Sequence, residues 1–300
     1  MDHKRCWAVI LAGGNGERLR PLTSLLYTDD RPKQFCPIFA GQTLLDQTRA
    51  RMSRVIAPER TMFVVVRAHQ RFYECQLSGV DASRLVIQPS NKGTTAAIVL
   101  SLLHIARFDP HAIVGFFPAD HFYADDDPIL AAIQAAYELA PEHKESPILL
   151  GVPPKTPEVE YGWIEPGATL RQRPSGRLFA VSQFWEKPEL PVARSLLERG
   201  CLWNTFMMVA PARAFLEMVR SAVPDLVAAF KRSRSADRLY NAIKPSDFSR
   251  QVLSTCKDTL SVLEAPHVDW SDLGNPRRMA AAMSRMGLEV PLHAAAALAS

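Results

Sequence analysis

Disulfide and zinc patterns are missing from the 300-residue chain. Its five cysteines, Cys6, Cys36, Cys75, Cys201 and Cys256, form no Cys-x-x-Cys pair, and an odd number cannot close into a full disulfide set. They read as reduced thiols, and their spacing argues against a zinc site. Excess charge of one sign is missing too. Lys+Arg 35 against Asp+Glu 31 leaves +4, short of the basic stripe of a nucleic-acid binder, though it leaves room for a local cationic pocket. No apolar run can span a bilayer: the longest helical candidate, 96–106, falls well short, and the N-terminal run CWAVILA is short and lacks a small-residue cleavage site. The expectation is a soluble, cytoplasmic protein with neither a membrane nor a nucleic-acid partner. Glycine is scarce at 14 and proline abundant at 23, so connections should be stiff. No repeat of fixed period is present.

The rest is globular in character. Hydrophobic residues at 47% and charged residues at 22% exclude disordered and fibrous classes. The length suits one large α/β domain or two unequal ones. Strand-like runs at 7–11, 62–66, 85–88, 112–117 and 148–152 alternate with helical patterns at 44–55, 96–106 and 129–139. The 96–106 pattern is apolar all round, hence buried. Such β-α-β-α order predicts a mostly parallel sheet with helices on both faces. After Val152 the rhythm changes: prolines at 153, 154, 157, 166 and 174 punctuate short strands at 161–164 and 178–184, which suggests a β-rich sub-domain. Helices at 192–199 and 213–223, a strand at 259–264 and a helix at 276–286 follow, and the tail 291–300 is expected to fray.

Five segments could carry chemistry. LAGGNGERLRPLT (11–23) sets three glycines after a buried strand, where backbone N–H groups can approach an anion without a Cβ in the way. Arg18 and Arg20 follow where phosphates would sit. It is neither a Walker loop nor a dinucleotide fingerprint, and a tight strand-to-helix turn is the plain alternative. In RPKQF (31–35), Lys33 follows a stiffening proline; alone it would be a solvated surface group. In FFPADH (116–121), Asp120 follows a strand end, where open sheets bind ligands and a hard oxygen donor suits Mg²⁺; the alternative is a turn or cap residue. His121 reads as a packed neighbour. In QPSNKGTTAAI (88–98), the Gln88 amide could read a base edge, or Ser90, Asn91 or Thr94 could simply cap the helix. Finally, YGWIE, FWEKP, WN and WSDLG place polar groups beside aromatics, as suits sugar recognition; alone each is a weak signal, and a Glu-Lys pair such as Glu186-Lys187 is more often a solvated face.

Taken together and in order, LAGGNGERLRPLT, RPKQF, QPSNKGT, FPADH, YGWIE, WEKP, WN and WSDLG resemble the sugar-1-phosphate nucleotidyltransferases. The spellings RPKQF and FPADH resemble the mannose-1-phosphate guanylyltransferase branch more than the glucose-1-phosphate thymidylyl- or uridylyltransferases. The resemblance runs from Leu11 to Gly274. It implies a Rossmann-like α/β fold, a mostly parallel mixed sheet with helices on both faces (the nucleotide-diphospho-sugar transferase fold), with a smaller β-rich sugar-binding part. One catalytic domain, 1–290, is expected, with a nucleotide-binding half 1–152 and a sugar-phosphate-binding half 153–290. Neither a left-handed β-helix domain nor a fused isomerase is expected, and a homodimer is left open.

The implied reaction is in-line attack of a sugar 1-phosphate on the α-phosphorus of a nucleoside triphosphate, with GTP and mannose 1-phosphate as partners and Mg²⁺ as cofactor. By similarity, Leu11, Gly13, Gly14, Gly16, Arg18, Lys33, Gln88, Gly93 and Thr94 would bind the nucleotide. Arg18, Lys33 and Asp120 would be catalytic. Gly162, Glu186 and Asn204 would contact the sugar and Lys187 its phosphate, while Asp120 and Asp272 would hold Mg²⁺. The 152-residue gap between those aspartates cannot be bridged by spacing, so their convergence rests on the resemblance. Two departures stand out: Glu17 where the family has Thr, and Phe206 where it has Gly. They motivate the alternative of a non-catalytic nucleotide-sugar-binding subunit. A nicotinamide oxidoreductase is disfavoured by the missing third glycine.

Overall fold

The computed structural model describes residues 5–27, 29–39, 41–173, 176–233, 235–265 and 268–288; the expectation for the tail 291–300 lies outside them. The strands are β1 Cys6–Leu11, β2 Thr61–Val66, β3 Leu85–Gln88, β4 Ile113–Pro118, β5 Phe122–Tyr123, β6 Ile148–Val152, β7 Gly162–Arg173, β8 Gly176–Glu186, β9 Leu202–Pro211, β10 Ser261–Glu264 and β11 Trp270–Ser271. The α-helices are α1 Arg20–Tyr27, α2 Leu44–Ser53, α3 Gln70–Tyr73, α4 Gly93–Ile105, α5 Asp126–Leu139, α6 Leu190–Glu198, α7 Ala212–Ala222, α8 Pro224–Arg232, α9 Ala236–Ala242 and α10 Pro276–Arg285.

Nine strands form one mixed sheet in the order β3-β2-β1-β4-β9-β6-β10-β8-β7. Only β8 and β9 run against the rest, so the sheet is mostly parallel in strand direction. Strands covered on both faces need apolar residues at every position. All six residues of β2, Thr-Met-Phe-Val-Val-Val, are buried accordingly. Alternation in β1 divides the core. Ala8 and Ile10 face one layer, with Leu45 of α2 and Ile133 and Ala136 of α5. Val9 faces the other, with Ala96 and Val99 of α4 and Phe215 and Val219 of α7. Helix α4 is buried as its all-round apolar pattern predicted.

The stretch after Val152 is a long hairpin, β7–β8, joined to the same sheet through β10 and, by Trp163 and Ile164, to β9. Its strands are longer than the apolar runs that announced them, because residues 165–173 leave the core and their apolar pattern breaks. Strand β9, not anticipated from the sequence, lies between β4 and β6. Two small features set up the site. A third apolar cluster joins Leu19 and Leu22 to Leu273, Met279 and Met283, tying the glycine-loop segment to the C-terminal segment. A two-residue ladder pairs Phe122 with Ser271 and Tyr123 with Trp270. Among the described residues no helix is long and apolar enough to cross a membrane.

Candidate active site

Beyond the carboxyl ends of β1, β3 and β4 opens a cleft of ≈ 360 Å³, where open parallel sheets bind ligands. Leu11, Gly13, Gly14, Arg18, Lys33, Gln88, Gly93, Thr94, Asp120, Gly162, Glu186, Lys187, Asn204 and Asp272 all line it. Gly16 lines an adjoining outer hollow of ≈ 520 Å³ that shares Arg18, Lys33 and Asp120. Every residue given a site role by the resemblance therefore lines one of two adjoining hollows, whereas Arg20 and Ser90 line neither. A hollow of ≈ 590 Å³ at the opposite ends of β1 and β4, lined by Arg5, Ile113 and Arg213, contains none of them.

The glycine loop is held from behind by its carbonyls. Gln34 Nε2 donates to the carbonyls of Ala12 at 3.0 Å and Gly14 at 2.8 Å. Asn91 Nδ2 donates to Gly13 O at 3.1 Å. The N–H groups of Gly13, Gly14 and Gly16 make no hydrogen bond among the described residues. Acceptors pulled back and donors left free make a cradle for an anion. Glu17, the first departure, is exposed and accepts from Asn15 Nδ2 at 3.2 Å. Arg18 Nη1 donates to Glu160 at 2.8 Å. Burial raises the Glu160 pKa, but Asn275, Arg278 and Arg18 outweigh it and hold the carboxyl below its ordinary value.

The two-residue ladder explains how distant aspartates meet. Asp120 precedes β5 by two residues and Asp272 directly follows β11, so the antiparallel pairing sets them side by side. Lys33 joins them: its Nζ lies 3.2 Å from Asp120 Oδ2 and donates to Asp272 O at 2.5 Å. Burial pushes the Asp120 pKa up, but Lys33 and His121 prevail and leave it lowered. His121 is a packed neighbour, as expected. Trp270 Nε1 donates to its Nδ1 at 3.1 Å, which leaves the ring proton on Nε2, 3.9 Å from Asp120 Oδ1. Burial brings its pKa down to about 4, so the ring is neutral. Asp272 Oδ1 accepts from Gly274 N at 2.8 Å and pairs with Arg278 Nε at 3.0 Å. Arg278 also pairs with Glu158 and Glu160 and covers the Tyr161 ring at 4.7 Å.

Gln88 lies at the other end, with Gly13 against it: a Cβ on Gly13 would fall 2.9 Å from Gln88 Nε2. Gly93 has φ +83, and a Cβ there would strike the Ser246 carbonyl, so only glycine lets residues 246–248 close over the start of α4. Thr94 Oγ1 accepts from Phe248 N at 2.8 Å in that closure. Of the capping candidates, Asn91 accepts from Gly93 N at 2.8 Å. Glu186, Lys187, Gly162 and Asn204 cluster at the hairpin end of the cleft. Glu186 is partly buried, and that burial, reinforced by Asp247, pushes its pKa up to about 7 against Lys187 and Arg250. Asn204 Oδ1 accepts from Phe206 N at 3.0 Å, and Phe206 stands at φ 60, the left-handed conformation a glycine would take freely.

Sequence reasoning missed Asn91, Glu160 and Asp247 as wall residues, and Arg278 and Tyr240 behind the wall. Glu160 stood directly before the YGWIE motif and could have been found; Asp247 and Tyr240 lie in segments without any motif. Among the described residues no group of three or more His, Cys, Asp or Glu is placed to hold a metal ion. Asp120 and Asp272 both line the cleft, Asp272 with its carboxylate paired to Arg278, and Mg²⁺ commonly takes one or two carboxylates, its remaining ligands being water and substrate phosphates. The donor set fits such an ion.

Comparison with known proteins gives a consistent pattern. A family model described as Nucleotidyl transferase matches residues 7–287. The chain is 30% identical over 241 residues to the Escherichia coli K12 mannose-1-phosphate guanylyltransferase, covering 79% of this chain and 49% of that protein. It is 31% identical over 283 residues to the xanthan biosynthesis protein XanB of Xanthomonas campestris, covering 89% and 57%. The chain thus spans about half the length of these curated relatives. Among solved structures, a Thermus thermophilus protein described as mannose-1-phosphate geranyltransferase superposes with TM-score 0.80 at 28% identity, covering 93% of this chain and 79% of that one.

Proposed function

The chain belongs to the nucleotidyl transferase family, and on that footing we propose that it joins GTP to mannose 1-phosphate, forming GDP-mannose and releasing pyrophosphate. The observation that carries this reading is the Lys33 bridge: one ammonium touching Asp120 and the Asp272 backbone beside a cradle of unpartnered N–H groups. Two anions must meet in this reaction, so positioning and charge neutralisation are the main demands. Gly13, Gly14 and Gly16 hold the triphosphate through their N–H groups, and Arg18 exchanges Glu160 for a phosphate oxygen. Lys33 sits over the α-phosphate and the leaving pyrophosphate. Gln88 reads the base, Glu186 and Asn204 take sugar hydroxyls, and Lys187 takes the sugar phosphate.

Charge supports a divalent cation. The cleft carries five carboxylates (Asp120, Glu160, Glu186, Asp247, Asp272) against three cations (Arg18, Lys33, Lys187). Arg278 offsets part of this from behind the wall through Asp272 and Glu160, and added positive charge would favour the entry of two phosphate-bearing substrates. Asp120 and Asp272 would hold Mg²⁺, which supplies electrostatic neutralisation of phosphate oxygens when bound.

The test is pyrophosphate release with Mg²⁺ across four nucleoside triphosphates and several sugar 1-phosphates. The highest kcat/KM is expected for GTP with mannose 1-phosphate. Another pair in first place corrects the base or the sugar. Binding without turnover across the whole matrix replaces the enzyme by the non-catalytic subunit that Glu17 and Phe206 suggested.

A further inference from the structure

Gln88 is 2% exposed, yet its side chain lines the cleft. Its amide has ends of opposite character, Oε1 accepting and Nε2 donating. Oε1 is taken from behind: Tyr240 Oη, on α9, donates to it at 3.1 Å. Nε2 lies on the Gly13 side and donates to nothing among the described residues. A side-chain amide can turn over and exchange its two ends, and a base reader that turns over reads the opposite pattern.

Here turning over is opposed. Tyr240 is 0% exposed, and its ring meets Phe230 edge-on with centroids 6.5 Å apart. Its hydroxyl has no other acceptor among the described residues. With the amide reversed, Nε2 would donate to Oη and the phenolic hydrogen would be stranded in the core. An unsatisfied buried donor disfavours that state by roughly 10-fold or more.

We propose that Tyr240 is a positioning residue that locks the Gln88 amide with its N–H donors towards the base, so that the cleft selects nucleoside triphosphates carrying a ring carbonyl over those carrying a ring amino group. A carbonyl at purine position 6 or pyrimidine position 4 accepts from Nε2; an amino group there meets donor with donor. This rests on the reading of Gln88 as the base contact and deepens it by assigning the polarity of that contact to a residue on another helix.

Inosine and adenosine triphosphates isolate the claim, since both lack the guanine 2-amino group and they differ at positions 1 and 6. With saturating mannose 1-phosphate, the wild type is expected to prefer ITP over ATP in kcat/KM. Tyr240→Phe should lower that ratio about 10-fold, leaving the mannose 1-phosphate KM and the Tm nearly unchanged. A merely structural tyrosine would shift Tm and both nucleotides alike. Gln88→Glu presents acceptors only and should move the preference towards ATP. An unchanged ITP:ATP ratio in Tyr240→Phe overturns the proposal; should that variant not fold, an unchanged ratio in Gln88→Glu does so. Absence of turnover with every nucleotide removes the proposed reaction instead, and calorimetry with ITP and ATP then decides, equal wild-type affinities overturning the lock.

Discussion

Replacing Glu186 by glutamine should stabilise the ligand-free protein at pH 8 and change it little at pH 5. The side chain is only 13% exposed, and burial first, then Asp247, pushes its pKa from 4.5 to about 7, with Lys187 at 4.0 Å and Arg250 pulling the other way. A carboxyl whose folded pKa lies above its unfolded one binds its proton more tightly in the folded state. Its favourable contribution is complete below pH 4.5, is lost as pH rises towards 7, and stays lost above. The separation between the two pKa values corresponds to roughly 3 kcal/mol at pH 8 and under about 1 kcal/mol at pH 5. Glutamine keeps the shape and removes the titration, so the stability difference between variant and wild type should open across that window. Urea unfolding of both proteins at pH 5, 6, 7 and 8 measures it directly. A difference that is flat with pH would show that Glu186 is not strained by its surroundings. A carboxylate kept at such a disadvantage suits a group that awaits a sugar hydroxyl, to which it can donate or accept according to its protonation.

Other substitutions probe the remaining parts of the cleft. Asp120→Asn should keep the fold and lower turnover on the order of 10²–10³; near-normal pyrophosphate release by a folded variant would remove Asp120 from the reaction. Lys187→Ala should raise the KM for the sugar phosphate well above any change for the nucleotide, and equal losses for both would displace it from the sugar end. Gly13→Ala puts a methyl 2.9 Å from Gln88 Nε2 and 3.3 Å from Val66, so the nucleotide KM should rise about tenfold while that for sugar phosphate holds. An unchanged nucleotide KM would mean the loop does not need that close approach.

The alternation of apolar runs and helical patterns was legible up to Val152 because those strands are short and buried and the helical segments between them are long enough to tell apart from strands. Strand β9 escaped notice because Asn204 and Thr205 interrupt its apolar run. Their side chains are spent locally, on Phe206 N at 3.0 Å and on Leu150 O at 2.7 Å, so polar residues sit in a buried strand. Most motif residues of the cleft could be read because they stand at a strand end or a turn; Asn204, inside β9, and Thr94, inside α4, do not. What could not be read is how they converge. The ladder that joins Asp120 to Asp272 has two residues a side, too short for any period to reveal. Tyr240 and Gln88 meet across 152 positions, and Arg278 reaches back to Glu158 and Glu160. Such contacts belong to the packed chain, and no local pattern announces them.

The distribution of backbone strain points to the same place by an independent route. Among the described residues, three non-glycine positions adopt a left-handed φ: Lys187 at 54, Phe206 at 60 and Leu273 at 49. Lys187 and Phe206 line the cleft, and Leu273 follows Asp272 and accepts from Lys33 Nζ at 3.4 Å. A conformation of this kind costs on the order of 1–3 kcal/mol and survives only where neighbours over-determine it. Each of the three is so fastened through its own N–H: Lys187 donates to Tyr161 O at 3.1 Å, Phe206 to Asn204 Oδ1 at 3.0 Å, and Leu273 to Ser271 Oγ at 3.2 Å. Phe206 is the instructive one. Where glycine would take this φ without penalty, the chain carries a phenylalanine, keeps the turn, and gains a ring that meets Phe248 edge-on at 6.3 Å beside the segment that closes over α4. Phe206 takes the left-handed conformation that glycine adopts freely and adds an apolar wall to the cleft.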